Sequence, residues 1–311
     1  MNRTISENIK LFFKGIAMGI ADAFPGISGG TMALILGVYK ELISSISNIN
    51  YTLFKTLKKE GIQVFWKRLN GNFLIILFSG LLPSLVVFFI LAGSLMDGFP
   101  VLIWSFFFGL VTASVYVILK PTDLFNFNKK YNYIIQNWIL LLISIYTCYL
   151  LTSIPELNSL NENMIFIFFA GFIASCAMIL PGISGQYILV ILGLYKTMST
   201  ALEEALKLET LGLTKILIFG FGVILGLLSF SKVVKWGFEK FPNKILILMT
   251  GLIIGSIHKL WPWKSEGAEV NISPFSLNDN YLIESIVLFI IGFFLIFLLE
   301  KSNKNQNIEK N

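Results

Sequence analysis

Two short stretches of this sequence hold its best candidates for binding a charged group: Pro25-Gly26-Ile27-Ser28-Gly29-Gly30 and Pro181-Gly182-Ile183-Ser184-Gly185. Each interrupts an apolar run. Proline removes an amide donor and clashes with the turn before it, and paired glycines permit backbone that other residues resist. Ser28 and Ser184 are suited to cap a helix that restarts after the break. Such a helix turns its unpaired N–H groups and the positive end of its dipole toward the interruption, where an anion is well received. Gly29, Gly30 and Gly185 would let the bound group approach the backbone. Ser28, Thr31, Ser184, Gln186 and Tyr187 could add side-chain hydrogen bonds. The competing reading is a tight turn that serves only close helix packing.

Asp22 is the sharpest single residue, a carboxylate in an apolar run three residues before Pro25. Carboxylates at membrane depth are costly and usually functional. It could hold a coupling proton or Na⁺, or it could satisfy N–H groups of the adjoining break. Met178 stands at the equivalent place in the second copy, so an ion role is asymmetric. His258, the single histidine, lies with Lys259 beside Trp261 and Trp263, a setting that reads as an interfacial belt. Lys40 and Lys196 follow tyrosines and read as snorkelling residues. Cys148 and Cys176 lie in apolar segments and read as small hydrophobes, not as a disulfide or metal framework. No catalytic residue, metal site or cofactor is expected.

The elements that must position these residues follow from composition. The 311 residues are 55% hydrophobic and 14% charged, far fewer charges than the roughly 25% of soluble domains. Segments 72–93, 100–119, 132–152, 211–231, 242–260 and 281–299 each approach the roughly 20 apolar residues that span a bilayer as a helix. Lipid offers the backbone no partner, so helices are required, and no alternating strands suggest a barrel. The net charge of +6 invites a nucleic-acid partner. That reading is rejected, because the lysines sit in short loops beside the spans. Loops 49–71, 120–131 and 232–244 and both tails are basic, whereas 94–99, 153–162, 197–210 and 261–280 are poor in basic residues or lean acidic. The positive-inside rule then predicts a multi-pass protein with both termini cytoplasmic. The first apolar segment is expected to stay, not to be cleaved as a signal peptide.

The sequence also repeats itself. Residues 24–40 read FPGISGGTMALILGVYK and residues 180–196 read LPGISGQYILVILGLYK, with Pro25 matching Pro181 at an offset of 156. At an offset of 142, Gly80 matches Gly222, Phe99-Pro100 matches Phe241-Pro242, and Gly109 matches Gly251. An odd number of crossings separates the two copies, so the halves are predicted to be inverted. The expected fold is an all-α polytopic membrane protein of two inverted-topology repeats, each a re-entrant helical hairpin plus three transmembrane helices. The first, 1–152, has a hairpin over 9–48, its second arm running unbroken over 31–47. The second, 153–311, has a hairpin over 163–198. Broken helices at matching positions of inverted halves point to a secondary transporter.

The stretches KGIAMGIADAFPGISGGTMALILGVYKEL and AGFIASCAMILPGISGQYILVILGLYK resemble the DUF368 family of bacterial membrane proteins, described as polyprenyl-phosphate (undecaprenyl-phosphate) transporters. The resemblance covers most of the chain. It implies a flippase of the bacterial cytoplasmic (inner) membrane that recycles the lipid carrier for cell-wall synthesis, with the polyprenyl-phosphate lipid and membrane lipids as partners. The family motif falls on Asp22, Pro25, Gly26, Ser28, Gly29, Gly30 and Thr31, and on Pro181, Gly182, Ser184 and Gly185. Gln186-Tyr187 departs from the first copy's Gly30-Thr31, so unequal contacts are expected there. The alternative is an ion or small-anion transporter on the same fold. A lipid phosphatase would need an acid–base constellation that the sequence lacks, and a scaffold would gain nothing from broken helices. The oligomeric state is open.

Overall fold

The computed structural model describes residues 3–24, 28–125, 131–154, 163–265, 270–276 and 281–308. Apart from one isolated bridge between Lys264 and Asn271, the regular structure in them is helical. Helix α1 spans Ile5–Ala23. It opens on a capping box in which Thr4 accepts the Glu7 N–H at 3.3 Å and Glu7 accepts the Thr4 N–H at 2.8 Å. After the break come α2 (Gly29–Ile35) and α3 (Tyr39–Ser47). Next are α4 (Tyr51–Glu60) and α5 (Ile62–Leu69), then α6 (Gly71–Gly98), α7 (Pro100–Leu119) and α8 (Tyr131–Thr152). The second half gives α9 (Met164–Ile179), α10 (Gly185–Ile191), α11 (Tyr195–Leu206) and α12 (Thr210–Lys240). It closes with α13 (Pro242–Ser256), which a 3₁₀ turn over Ile257–Leu260 extends, and α14 (Leu282–Ile308).

Among the described residues, α6, α7, α8, α12, α14 and α13 with its 3₁₀ turn are long and apolar enough to cross a membrane. These are the six expected spans, so the chain has the helix set of a multi-pass membrane protein. Two expectations need correction. The basic stretch 49–71, read as a loop, contains α4 and α5. Asn50 accepts the Leu53 N–H at 3.0 Å to start α4, whose buried residues are Leu53 and Thr56 while Lys55, Lys58 and Lys59 face out. The arm over 31–47, read as continuous, is two helices. It stops at Gly37, whose φ of 71° belongs to the left-handed region. The Val38 N–H donates to Ala33 at 2.9 Å and the Gly37 N–H to Leu34 at 3.2 Å, the paired bonds of a Schellman ending. The second copy repeats it, with Gly193 at φ 68° and the Leu194 N–H donating to Leu189 at 2.9 Å. The shared GxYK pattern is therefore a helix stop, which hydropathy alone does not reveal.

Packing follows the same offsets. Helix α1 lies along α6, and α9 along α12. A side chain on Gly80 would overlap the Phe12 carbonyl, and one on Gly222 would overlap the Phe168 carbonyl, 142 and 156 residues further on. Small residues let the two backbones approach where lipid supplies no hydrophobic drive between helices. The remaining spans pair across the halves: α7 lies along α14, and α8 along α13. A side chain on Gly109 would overlap the Phe289 carbonyl there. The largest buried cluster is built mostly from α1, α2, α3, α6 and α7, joined from the second half by Ile179, Val234, Phe238, Met249, Ile253, Leu260 and Ile296.

Candidate functional site

The two broken segments meet. Helix α1 ends at Ala23, and Phe24 is buried. Pro25 and Gly26, both candidate site residues, lie outside the described residues, as does Ile27. The chain resumes at Ser28, whose extended backbone caps α2 and whose hydroxyl accepts the Gly30 N–H at 3.2 Å. Asp22 reaches across the break from the last turn of α1 and accepts the Gly29 N–H. Any side chain on Gly29 would collide with that carboxylate. Two of the amides expected to face an anion are thus held by the protein's own Asp22 and Ser28. Their job in this state is to fix the start of α2 against α1.

Three ties join this motif to the second, more than 130 residues away. Thr31 Oγ1 accepts the Gly182 N–H at 2.9 Å. The buried Tyr39 hydroxyl donates to the Ile179 carbonyl at 2.9 Å, at the end of α9. Gly30 lies so close to α9 that a Cβ would sit 3.0 Å from the Met178 carbonyl and 3.1 Å from that of Ile179. Thr31 and Ser28 are buried. Where the sequence showed two similar stretches, the fold makes one polar seam inside an apolar body.

The second motif is built differently. Pro181 is buried, and Gly182 adopts φ 88° with its α-carbon against α13, where a Cβ would come within 2.7 Å of the Leu252 carbonyl. Glycine alone takes that backbone without strain. Ser184 has cap geometry, yet its hydroxyl accepts nothing from α10. Gly185 lies near the Ala174 carbonyl of α9. Gln186 is exposed. Tyr187 turns away from the seam and donates to the carbonyls of Thr152, the last residue of α8, at 2.7 Å and of Ile154 at 3.1 Å. Of the candidate residues, then, Asp22, Ser28, Gly29, Gly30, Thr31 and Gly182 are brought together, while Gln186 and Tyr187 lie to one side.

One cavity adjoins this arrangement and another lies at the opposite end of α9. The first, of about 150 Å³, is lined by Leu34, Gly37, Tyr39, Lys40, Phe238, Pro242 and Leu246. Lys40 is its charged residue, held 5.5 Å from the Phe238 ring centre. Tyr39 links this cavity to the seam, since the same side chain that lines it bonds to Ile179. The other, of about 480 Å³, lies between α9 and α12 and is lined by Met164, Ile165, Phe168, Leu217, Ile218 and Phe221. Its walls suit hydrocarbon. The described residues hold no cluster of side chains able to bind a metal. Lys215, near the start of α12, is a buried charge within the expected apolar span 211–231.

Comparison with known proteins gives this geometry a context. A model of the VCA0040-like family, described as undecaprenyl phosphate translocase-like, matches residues 18–275, which include both motifs. A polyprenyl-phosphate transporter of Vibrio cholerae is 36% identical over 311 aligned residues, covering 94% of this chain and 96% of the relative. A polyprenyl-phosphate transporter of Staphylococcus aureus is 32% identical over 295, covering 90% and 92%. No solved structure matches the chain.

Proposed function

Because the chain belongs to the VCA0040-like, undecaprenyl phosphate translocase-like family, we propose that it carries a polyprenyl phosphate across the bacterial cytoplasmic membrane, returning the lipid carrier to the cytoplasmic leaflet. One observation carries this reading: relatives aligned over nine-tenths of the chain or more are named polyprenyl-phosphate transporters. The physics agrees. A phosphate headgroup does not cross hydrocarbon bare, whereas a polyprenyl tail is at home in lipid. The protein therefore needs a polar path through its interior and apolar flanks on which the tail can ride. The seam of Asp22, Ser28, Gly29, Gly30, Thr31 and Gly182 is the proposed midpoint of that path.

The halves are proposed to be inverted repeats, with α1–α3 and α9–α11 as re-entrant hairpins from opposite faces. Arg3 pairs with Glu41, which keeps the start of α1 beside α3. Helix α11 packs on α12, and Gly212 near the start of α12 abuts Ala201 and Glu204. Both contacts favour hairpins that return to the end they entered. Alternate exposure of the seam then requires the hairpins to shift against their neighbours, as in other inverted-repeat transporters. A coupling proton or Na⁺ is proposed to act at Asp22. Asp22→Asn keeps an oxygen for the Gly29 N–H but loses the charge. Transport by this variant that still responds to the ion would end the coupling role.

The test of the main proposal is leaflet exposure of a labelled polyprenyl phosphate in proteoliposomes. Protein-dependent movement of the phosphate, with none of the unphosphorylated polyprenol, is expected. Equal exposure with and without protein would overturn it.

A further inference from the structure

We propose that Lys259 and Lys264 form a docking station for a phosphate monoester at the α13 end of the bundle, beside the second motif. The station is built by the loop after α13. Lys264 Nζ donates to the Lys259 carbonyl at 2.8 Å and stands over the buried Trp104 of α7, 3.6 Å from the ring centre. Lys259 Nζ stands 5.1 Å from the ring centre of Tyr187, the third residue of α10. Hydrogen bonds tie the described residues on either side of 266–269 to one another. The Ile272 N–H donates to Trp263 at 3.0 Å, the Ser265 N–H to Val270 at 2.8 Å, and Asn271 Nδ2 to His258 at 2.9 Å.

Two ammonium groups are thus fixed over aromatic faces, partly out of water, and the ion pairs among the described residues lie elsewhere. Each cation raises the cost of the other, and ring faces offset only part of it. The burial of Lys264, aided by neighbouring Lys259, pushes its ammonium down to about 8. A dianionic phosphate would meet both charges at once. The location adds weight. The charge pattern assigns this end of the bundle to the side of the membrane where lysines are sparse, so a fixed pair here calls for a reason. Tyr187 bridges the station to α10, because its ring faces Lys259 while its hydroxyl is tied to Thr152 and Ile154. Through Tyr187 the station adjoins α10, the helix that restarts after the second break.

This inference rests on the proposed function for its lipid, but its test stands apart. The full chain in nanodiscs is titrated with farnesyl phosphate, inorganic phosphate and farnesol, reading tryptophan fluorescence, which Trp104 reports locally. Farnesyl phosphate is expected to bind and farnesol not. Lys259→Gln or Lys264→Gln should weaken binding at least about ten-fold, since each removes a charge-assisted bond. The Lys→Arg variants, which keep the charge and report on folding, should stay within about three-fold. Binding should also fall as the pH rises through about 8, where Lys264 loses its proton, and this fall should vanish in Lys264→Gln. Among the described residues, Lys259 and His258 are the titratable groups that interact with it. Inorganic phosphate binding as tightly, with the same lysine dependence, keeps the station and makes free phosphate its occupant. Wild-type affinity in both Gln variants, or equal binding of farnesol, overturns the station. Wild-type transport with unchanged lysine variants would sink the station and leave the transport function standing. A wild type that binds but never transports would do the reverse.

Discussion

At the scale of residues, the seam depends on bonds that no single motif contains. Thr31 and Gly182 lie 151 positions apart and share one hydrogen bond. Thr31→Val keeps the shape and removes the acceptor, leaving a part-buried N–H unpaired. It should cost about 1–3 kcal/mol of stability and slow transport, measured by thermal unfolding in detergent and by leaflet exposure. Tyr39→Phe should cost less, about 0.5–1.5 kcal/mol, because a carbonyl with one lost donor is better tolerated. The types of these residues were legible, since serine, threonine and glycine around a proline announce an interrupted helix. Their use was not. Tyr39 and Tyr195 share the same GxYK pattern, yet one is 2% exposed and the other 52%. Periodicity cannot say which copy turns inward. Nor could it show that Lys264 folds back onto Trp104, because that contact joins α7 to a distant loop.

At the scale of elements, each PGISG break was legible and the second stop in each arm was not. Hydropathy runs unbroken through Leu36-Gly37-Val38, so a window sees one helix. The left-handed glycine that ends α2 is a backbone event, and its trace was only the recurrence of Gly37 and Gly193 before a tyrosine. Gly193→Ala should cost about 1–2 kcal/mol, the price of a Cβ in left-handed backbone, and lower the melting temperature without abolishing insertion. Gly222→Ile should do more damage, since the new side chain overlaps the Phe168 carbonyl and must drive α12 off α9. Crosslinking between cysteines placed on those two helices would register the separation. The stretch 49–71 misled for the opposite reason: its lysines read as a loop, but they line the outer faces of two short amphipathic helices.

At the scale of the whole molecule, six spans were readable from length and hydropathy because the bilayer imposes both. Which span lies beside which was not, because lipid-facing and helix-facing residues are alike in composition. The orientation drawn from charge has a direct test. With Cys148 and Cys176 replaced, a single cysteine at Lys58 and another at Asn271 should react with a membrane-impermeant reagent from opposite sides of the cell membrane. Labelling of both from one side would reverse the topology and with it the direction in which the seam must open.

The cross-pairing of α7 with α14 and α8 with α13 has a consequence for how the chain comes to exist. When the ribosome has finished the first half, α7 and α8 are already in the lipid, yet the helices that will flank them permanently have not been synthesised. They must wait as bachelors among lipids, or with a chaperone, until the second half arrives. Helix α14 is made long after α7, yet it is the one that seats against Gly109, so a nascent chain released before it would leave α7 inserted and without its partner.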